Sequence, residues 1–282
     1  MKRLTMFAFA LALVAGFATA ADQTPVTQYV SADDVSAVIL VKYVGSGTSA
    51  TVASTSTANL TFQVAAAAYT GFECPVSGAL GGIIDVTNAA CNTIGEVVDV
   101  INGNCTGCSS DFRAVIVDGL RTDSSATLLT VGATQATTAK GVVIPNDTSA
   151  SFAVGETRAM IPAGCRDNIQ CFLGPTGKLL ENPFGGTQTI LNYVIGLSTY
   201  GSGTSVLNVY SVKQSNKTAG AETVTTLWSE AMGDTATSKS FTQFQYVPVI
   251  GLPHEKLIVR VTNSAAQASV SLLASGYQRP TQ

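Results

Sequence analysis

Apolar and β-branched residues alternate with polar ones along most of the chain, which is the two-residue period of β-strands. The run at 36–44 (SAVILVKYV) is apolar on both faces apart from Lys42, and this pattern predicts a buried central strand. Shorter runs bounded by Gly, Asn and Ser predict further strands joined by tight turns. These strands are expected at 51–56, 59–64, 83–86, 112–117, 127–131, 141–144 and 151–154.

A helical period appears at residues 94–102, where one short helix is predicted. Thr93 and Glu96 have the spacing of a capping box, and Gly103 stands where a glycine commonly ends a helix. The apolar positions of one helical face are Ile94, Val97, Val98 and Ile101.

The C-terminal part of the chain, residues 186–282, is predicted to be all β. Regular spacing of strands and turns predicts a β-sandwich of jelly-roll type. Its strands are expected at 189–197, 205–213, 224–228, 240–247, 256–262 and 268–274. The strand at 256–262 has the alternation of a half-buried strand. The fold class is therefore mainly β, an N-terminal β-rich domain with one short helix (α+β) followed by a C-terminal β-sandwich.

The first 20 residues have the three zones of a cleavable signal peptide. Lys2 and Arg3 precede an uncharged apolar run at 6–17, and the small residues of Ala18-Thr19-Ala20 form a cleavage site. We expect a secreted protein, extracellular or at the cell surface. The apolar run is shorter than the roughly 20 residues that span a bilayer, so stable membrane insertion after cleavage is not expected.

Composition suggests how the mature chain is divided. Residues 21–35 are predicted to form an extended N-terminal arm, 36–174 a cysteine-containing β-rich domain, and 186–282 the sandwich domain. The stretch between the two domains is rich in Gly, Pro and Asn. Six cysteines, an even number in an oxidising compartment, predict disulfides, with fifteen connectivities open. The disulfide candidates are Cys74, Cys91, Cys105, Cys108, Cys165 and Cys171.

Charge narrows the range of partners. Without the leader, the 15 basic residues become 13 against 18 acidic ones, so the net charge moves from −3 to −5. A mildly acidic chain lacks the clustered Lys and Arg that nucleic-acid binding requires. Only 12% of residues are charged, which suits burial against neighbouring subunits.

We find no pattern of catalytic, cofactor-binding or metal-ligating residues, and predict that the protein is not an enzyme. His254, the single histidine, precedes a strand in a turn and has no nucleophile motif to serve. Cys105 and Cys108 form a C-x-x-C that follows the predicted helix instead of opening it, unlike redox enzymes. The carboxylates are scattered and match neither a calcium loop nor a recognisable glycosidase pair.

Aromatic side chains are the one feature that suits a small-molecule partner, because sugar-binding modules commonly stack such rings on their ligand. Trp228 ends an apolar strand and is predicted to lie in the core. The other candidates are Tyr193, Tyr200, Tyr210, Tyr246 and Tyr277. Surface glycans are therefore a candidate partner.

Several segments resemble predicted virion structural proteins of tailed bacteriophages. They are VKYVGSGTSATV (41–52), NTIGEVVDVIN (92–102) and FRAVIVDGLRTDSSATLL (112–129). TSVLNVYSVK (204–213) and EKLIVRVTNSAAQASVSLLASG (255–276) are similar to the β-sandwich ends of such surface proteins. The resemblance covers about half the mature chain and implies a capsid- or appendage-associated protein without an active site. The leader departs from that pattern, because tailed-phage particles are assembled in the cytoplasm.

These observations favour a non-enzymatic structural protein that forms homo-oligomers or polymers, as a filament, tube, coat or particle decoration. The alternatives are a secreted adhesin or carbohydrate-binding module, and an enzyme whose site is built from dispersed residues. Strands 36–44 and 268–274 carry almost no charge with which to block pairing at a sheet edge. We therefore expect the polar arm at 21–31 to dock on a neighbouring subunit, adding a strand to its sheet.

Overall fold

The computed structural model describes most of the chain after residue 23. The described residues are 24–30, 36–56, 59–72, 79–104, 110–128, 130–146, 156–162, 164–199, 204–214, 222–234, 240–245, 249–263 and 269–281. Residues 1–23, and with them the predicted signal peptide, lie outside these ranges, as does the strand predicted at 151–154.

Within these ranges the chain is mainly β, as predicted. The first ten strands are β1 (Thr24–Val30), β2 (Ser36–Tyr43), β3 (Ala50–Ser56), β4 (Asn59–Val64), β5 (Ala67–Ala68), β6 (Ala79–Leu80), β7 (Ile83–Asp85), β8 (Phe112–Ile116), β9 (Thr134–Gln135) and β10 (Val142–Asn146). The others are β11 (Glu156–Met160), β12 (Thr187–Thr199), β13 (Thr204–Gln214), β14 (Glu222–Asp234), β15 (Ser240–Gln245), β16 (Val249–Ile250), β17 (Lys256–Asn263) and β18 (Ser269–Pro280).

The helix α1 (Ile94–Asn102) confirms the predicted helix and both of its caps. The Thr93 hydroxyl accepts a hydrogen bond from the backbone N–H of Glu96, whose carboxylate accepts one from the backbone N–H of Thr93. Gly103 takes the left-handed conformation, with φ 68°, that ends the helix. Asn102 then bonds both backbone groups of Ala114, so its amide covers part of the edge of β8.

The sandwich has jelly-roll topology. Sheet I has the strand order β1-β18-β12-β15, with β16 beside β12, and sheet II has the order β11-β17-β13-β14. If β16 is left aside, the sandwich strands pair first with last, second with seventh, third with sixth and fourth with fifth, all antiparallel. Such nested pairing results when a long hairpin wraps into two sheets, which is the jelly-roll arrangement.

Both ends of the chain contribute to this sandwich. Residues 24–30 of the predicted arm form β1, which pairs with β18 of the same chain. β11 lies inside the predicted 36–174 unit, yet it pairs with β17 and belongs to sheet II. The structure thus corrects the simple division into arm, first domain and second domain: β2 to β10 are inserted between the first two strands of the jelly roll.

The inserted region has two sheets of its own. Sheet III has the strand order β10-β2-β8, with β2 in the centre as predicted. Sheet IV has the order β6-β7-β4-β3-β9, with β5 beside β4. A cluster of aromatic rings, Tyr43, Phe62, Tyr69, Phe72 and Phe112, lies in or against the core that sheets III and IV share with α1.

Within the described residues, three hydrophobic cores hold the sheets in the order I, II, III, IV. The first joins sheets I and II through side chains such as Leu191 and Val259, and the third joins sheets III and IV. Between them, Leu40 of sheet III and Ile258 of sheet II share the second core with the segment from Ile161 to Phe184. β17 is therefore buried on both faces from Lys256 to Val259, although its alternation had predicted a half-buried strand, because sheet III covers the face that carries Ile258.

One predicted strand is wrong. The segment at 127–131 begins inside a short 3-10 helix, Ser125–Thr127, instead of a strand. The Ser124 hydroxyl caps this helix by accepting from the backbone N–H of Ala126. The serines that start the turn are a stronger local signal than the β-branched residues that follow.

Candidate functional site

The junction between sheets II and III is where charged side chains are buried. Asp118 is fully buried, forms an ion pair with Arg166 and accepts a hydrogen bond from the backbone N–H of Ala159 in β11. Asp123 pairs with Arg260 of β17 at 3.0 Å. Because each of these carboxylates has a cationic and largely buried partner on the jelly-roll side, the two ion pairs link the insertion to the jelly roll.

Lys256 is the most unusual ionisable group of this junction. Its ammonium group is fully buried and donates to the backbone oxygens of Ile116 and Val117 at 3.1 and 3.3 Å. Burial lowers the pKa of Lys256 to about 8, an effect that the negative charges of Glu222, Asp118 and Asp123 only partly oppose. The side chain of Lys256 reaches from β17 to the end of β8, so its hydrogen bonds connect the two sheets at the junction.

Three of the six cysteines lie within the described residues. Cys165 and Cys171 form a disulfide, which closes a loop beside the second core. Cys91 is buried in the third core, where its backbone oxygen accepts from the Ser125 hydroxyl. Cys74, Cys105 and Cys108 lie outside the described residues.

β14 forms an edge of sheet II and is long and poorly charged. It has 13 residues and pairs with β13 on one side, and no strand of the described residues pairs with its other side. No charged residue occurs from Thr223 to Ser229. The side chains from Thr223 to Thr226 are exposed on both faces of the strand. Natural edge strands are normally protected by charge, proline or cover, so this edge is suited to pairing with another chain.

The outer face of sheet I carries two of the tyrosines that the sequence had singled out. β12 shifts register against β18 between Leu191 and Tyr193, so Tyr193 lies opposite Ser275 instead of Ala274. Ala274 belongs to the sandwich core, whereas Ser275 and Tyr277 alternate with it and lie on the outer face. The bulge therefore turns Tyr193 out of the core, and both tyrosines are only partly buried.

Gly276 allows β12 and β18 to approach closely at this bulge. A Cβ atom at Gly276 would lie 2.1 Å from the backbone oxygen of Ile190. Tyr200 and Tyr246 lie outside the described residues, Tyr210 packs against the second core, and Trp228 packs against the sandwich core, as predicted.

A cavity of about 550 Å³ lies at the end of this outer face. It is lined by Gln188, Pro253, His254, Arg279, Pro280 and Thr281. His254 is exposed in a turn, as its sequence context predicted. The register places Gln188 opposite Arg279 and Ile190 opposite Tyr277, so the cavity and the tyrosines form one continuous strip along β12 and β18.

Two features are absent from the part of the chain that the structure describes. Its one helix is too short to cross a membrane. In the same residues, no three or more His, Cys, Asp or Glu side chains gather as they would around a metal ion.

Comparison with known proteins identifies no family. No protein-family model matches the chain, and no curated protein sequence matches it either. Among solved structures it is similar to a Clostridium thermocellum chain, the CBM22-1–GH10 modules of endo-1,4-β-D-xylanase 10B complexed with xylohexaose. The sequences are 10% identical over 35% of this chain and 17% of that one, with a TM-score of 0.21. A likeness this small carries no argument about fold or function.

Proposed function

We propose that the protein is an exported, non-enzymatic structural subunit of a surface or extracellular assembly, with a second copy of itself as its main partner. The observation that carries the proposal is the open edge of β14. On the side where none of the described strands pairs with it, the uncharged stretch from Thr223 to Ser229 presents N–H and C=O groups to an incoming strand. Jelly rolls are used in capsid proteins, which agrees with the proposal by analogy of fold alone.

The geometry of β14 suits pairing with the same strand of another subunit. In an antiparallel pair centred on Thr225, Val224 lies opposite Thr226, and Thr223 lies opposite Leu227. Neither Glu222 nor Glu230 then faces a residue of like charge, since Glu222 lies opposite Trp228 and Glu230 lies opposite position 220, which precedes the first residue of the strand. A two-fold interface of this kind is the commonest form of self-association.

β1 offers a second route to assembly. It lies at the other edge of the sandwich, where β18 is its only strand partner among the described residues. A segment that fits this position within its own chain fits the same position on an identical neighbour, which is how domain swapping arises. The hypothesis that the arm docks on a neighbouring sheet thereby gains a specific acceptor, the edge of β18.

Self-association of the mature protein tests the proposal. Sedimentation velocity over a range of concentrations, with electron microscopy of the largest species, should reveal dimers or ordered polymers. Thr225→Lys should shift the distribution towards monomer, because a charge at the centre of the proposed strand pair opposes pairing. Thr138→Lys, the same change in an exposed turn, is the matched control and should have no effect. A mature chain that stays monomeric at every concentration would contradict the proposal.

A second candidate function is a secreted adhesin or carbohydrate-binding module. The specific observation in its favour is the strip on sheet I, where partly exposed tyrosines adjoin a cavity with an arginine. This function does not depend on self-association and is compatible with it.

A further inference from the structure

We infer that the strip on sheet I, from the Arg279 cavity to Tyr277 and Tyr193, binds an oligosaccharide that carries a carboxylate group. The inference rests on the second candidate function and specifies its ligand. It stands or falls separately from the proposed β14 interface, because β14 lies in the other sheet of the sandwich.

Arg279 is held in place at the cavity by a neighbouring amide. Gln188 accepts hydrogen bonds from Nε and one Nη of Arg279 at 3.4 and 3.1 Å. The amide nitrogen of Gln188 in turn donates to the backbone oxygen of Gly251 at 3.3 Å. Since Gln188 bonds only one edge of the guanidinium group, the second Nη remains available to a ligand, and such groups bind carboxylates in a two-point geometry.

His254 supplies a second N–H donor at the same cavity. Its Nδ1 accepts a hydrogen bond from the backbone N–H of Gly186 at 2.7 Å. A neutral imidazole that accepts at Nδ1 carries its proton on Nε2, so Nε2 is a donor. The residue also has φ 68°, a conformation that side-chain-bearing residues rarely adopt, and its backbone N–H donates to Thr187. The turn thus fixes the ring where a ligand can reach it.

The charge of the cavity selects an anion. Among the described residues, its lining contains one cationic side chain, one histidine and no carboxylate. This is notable in a chain whose acidic residues outnumber its basic ones. Two N–H donors without an opposing acid suit the two oxygens of a carboxylate better than a neutral hydroxyl group.

The tyrosines favour a sugar over an acidic peptide. Tyr277 and Tyr193 lie on neighbouring strands two rows apart, a diagonal separation of about 7–8 Å between such positions. Each presents an apolar ring with a polar hydroxyl, a surface on which the C–H face of a pyranose ring can stack. A chain of sugar rings along the strip would place one carboxylate in the cavity.

Binding of a defined oligosaccharide tests the inference. The probe is tetragalacturonic acid, measured by isothermal titration calorimetry on the full mature protein, with a neutral tetragalactoside for comparison. We expect the acidic probe to bind at least about tenfold more tightly than the neutral one, and Arg279→Gln to remove that preference. Tyr277→Ala should weaken binding of both probes. Lys140→Gln, which removes an exposed charge elsewhere, should change neither.

His254→Gly separates binding from folding. Glycine adopts the positive φ of this turn without strain, so the variant should fold while it loses the Nε2 donor and about tenfold in affinity. The inference is overturned if neither probe binds, if the neutral probe binds equally well, or if Arg279→Gln binds as the parent does. Preferential binding of a glutamate-rich peptide would overturn it in favour of a protein partner. Monomeric galacturonate binding as tightly as the tetramer would overturn the role of the tyrosines.

Discussion

The ammonium group of Lys256 donates a hydrogen bond to the backbone oxygen of Ile116 at 3.1 Å, which joins the jelly roll to the sheet of the inserted region. A second bond from the same group reaches Val117. Because Lys256 is fully buried, the charge that makes these bonds also lacks water around it. The junction is thus held by a cation that burial itself disfavours.

This lysine should make the stability of the fold depend on alkaline pH. Its pKa is about 8 in the folded protein and near 10.5 when unfolded, so between these values the unfolded chain binds the extra proton. Stability therefore rises with pH in that window as the buried charge is lost. Relative to Lys256→Met, the free energy of unfolding of the parent should rise by roughly 2 kcal/mol between pH 7 and 9.5.

Urea denaturation at several pH values measures this effect. Lys140→Met removes a charge from an exposed side chain and is the control, for which no such difference from the parent is expected. Parallel curves for the parent and Lys256→Met across the window would show that Lys256 does not titrate there.

The disulfide between Cys165 and Cys171 should stabilise the segment that fills the second core. The two residues are six apart in the sequence, and a loop of this length restricts the unfolded chain by about 2 kcal/mol. The double variant Cys165→Ser/Cys171→Ser should lose about that much, as measured by chemical denaturation without reductant. If the single variant Cys165→Ser forms a new disulfide with another cysteine, peptide mapping will reveal it, and the pairing assigned here will need revision.

The N-cap of α1 should also contribute to the stability of the fold. Thr93→Ala removes the hydroxyl that accepts from the backbone N–H of Glu96, a loss of about 1 kcal/mol in the free energy of unfolding. Thr138→Ala in an exposed turn should cost much less. Equal effects of the two substitutions would mean that the cap is not formed in solution.

Local features of the fold could be predicted from the sequence, because their signals lie within a few residues of each other. The capping box of α1 and the two apolar faces of β2 are of this kind, and both are confirmed. The strands of the sandwich also follow their local alternation, although their true ends extend further, as in β14.

Features that depend on pairing between distant segments could not be predicted in this way. β1 is polar and short, and its partner β18 lies at the opposite end of the chain, so nothing local indicates that it belongs to the sandwich. The same holds for the strip on sheet I. Strict alternation would place Tyr193 on the core face with Leu191, and only the bulge against β18 moves it to the outer face.

The pairing of β1 with β18 allows a direct test of whether the N-terminal arm docks on a neighbouring subunit. Deletion of residues 21–31 removes a strand that is paired along seven residues, and its main-chain hydrogen bonds are worth roughly 0.5–1.5 kcal/mol each. The truncated protein should be less stable, with an open edge at β18, and should no longer assemble through exchange of β1. A synthetic peptide of sequence TPVTQYV (24–30) should bind this edge and restore thermal stability, as β-strand addition does in other sheets.

A peptide of the same composition in scrambled order is the control, because it keeps the charge and size but loses the register with β18. Rescue by the native peptide alone would establish that the β18 edge accepts this strand from outside its own chain, which is what exchange between subunits requires. If neither peptide binds, or if the truncated protein assembles as well as the mature chain, then β1 serves only its own sandwich, and assembly must use another edge such as that of β14.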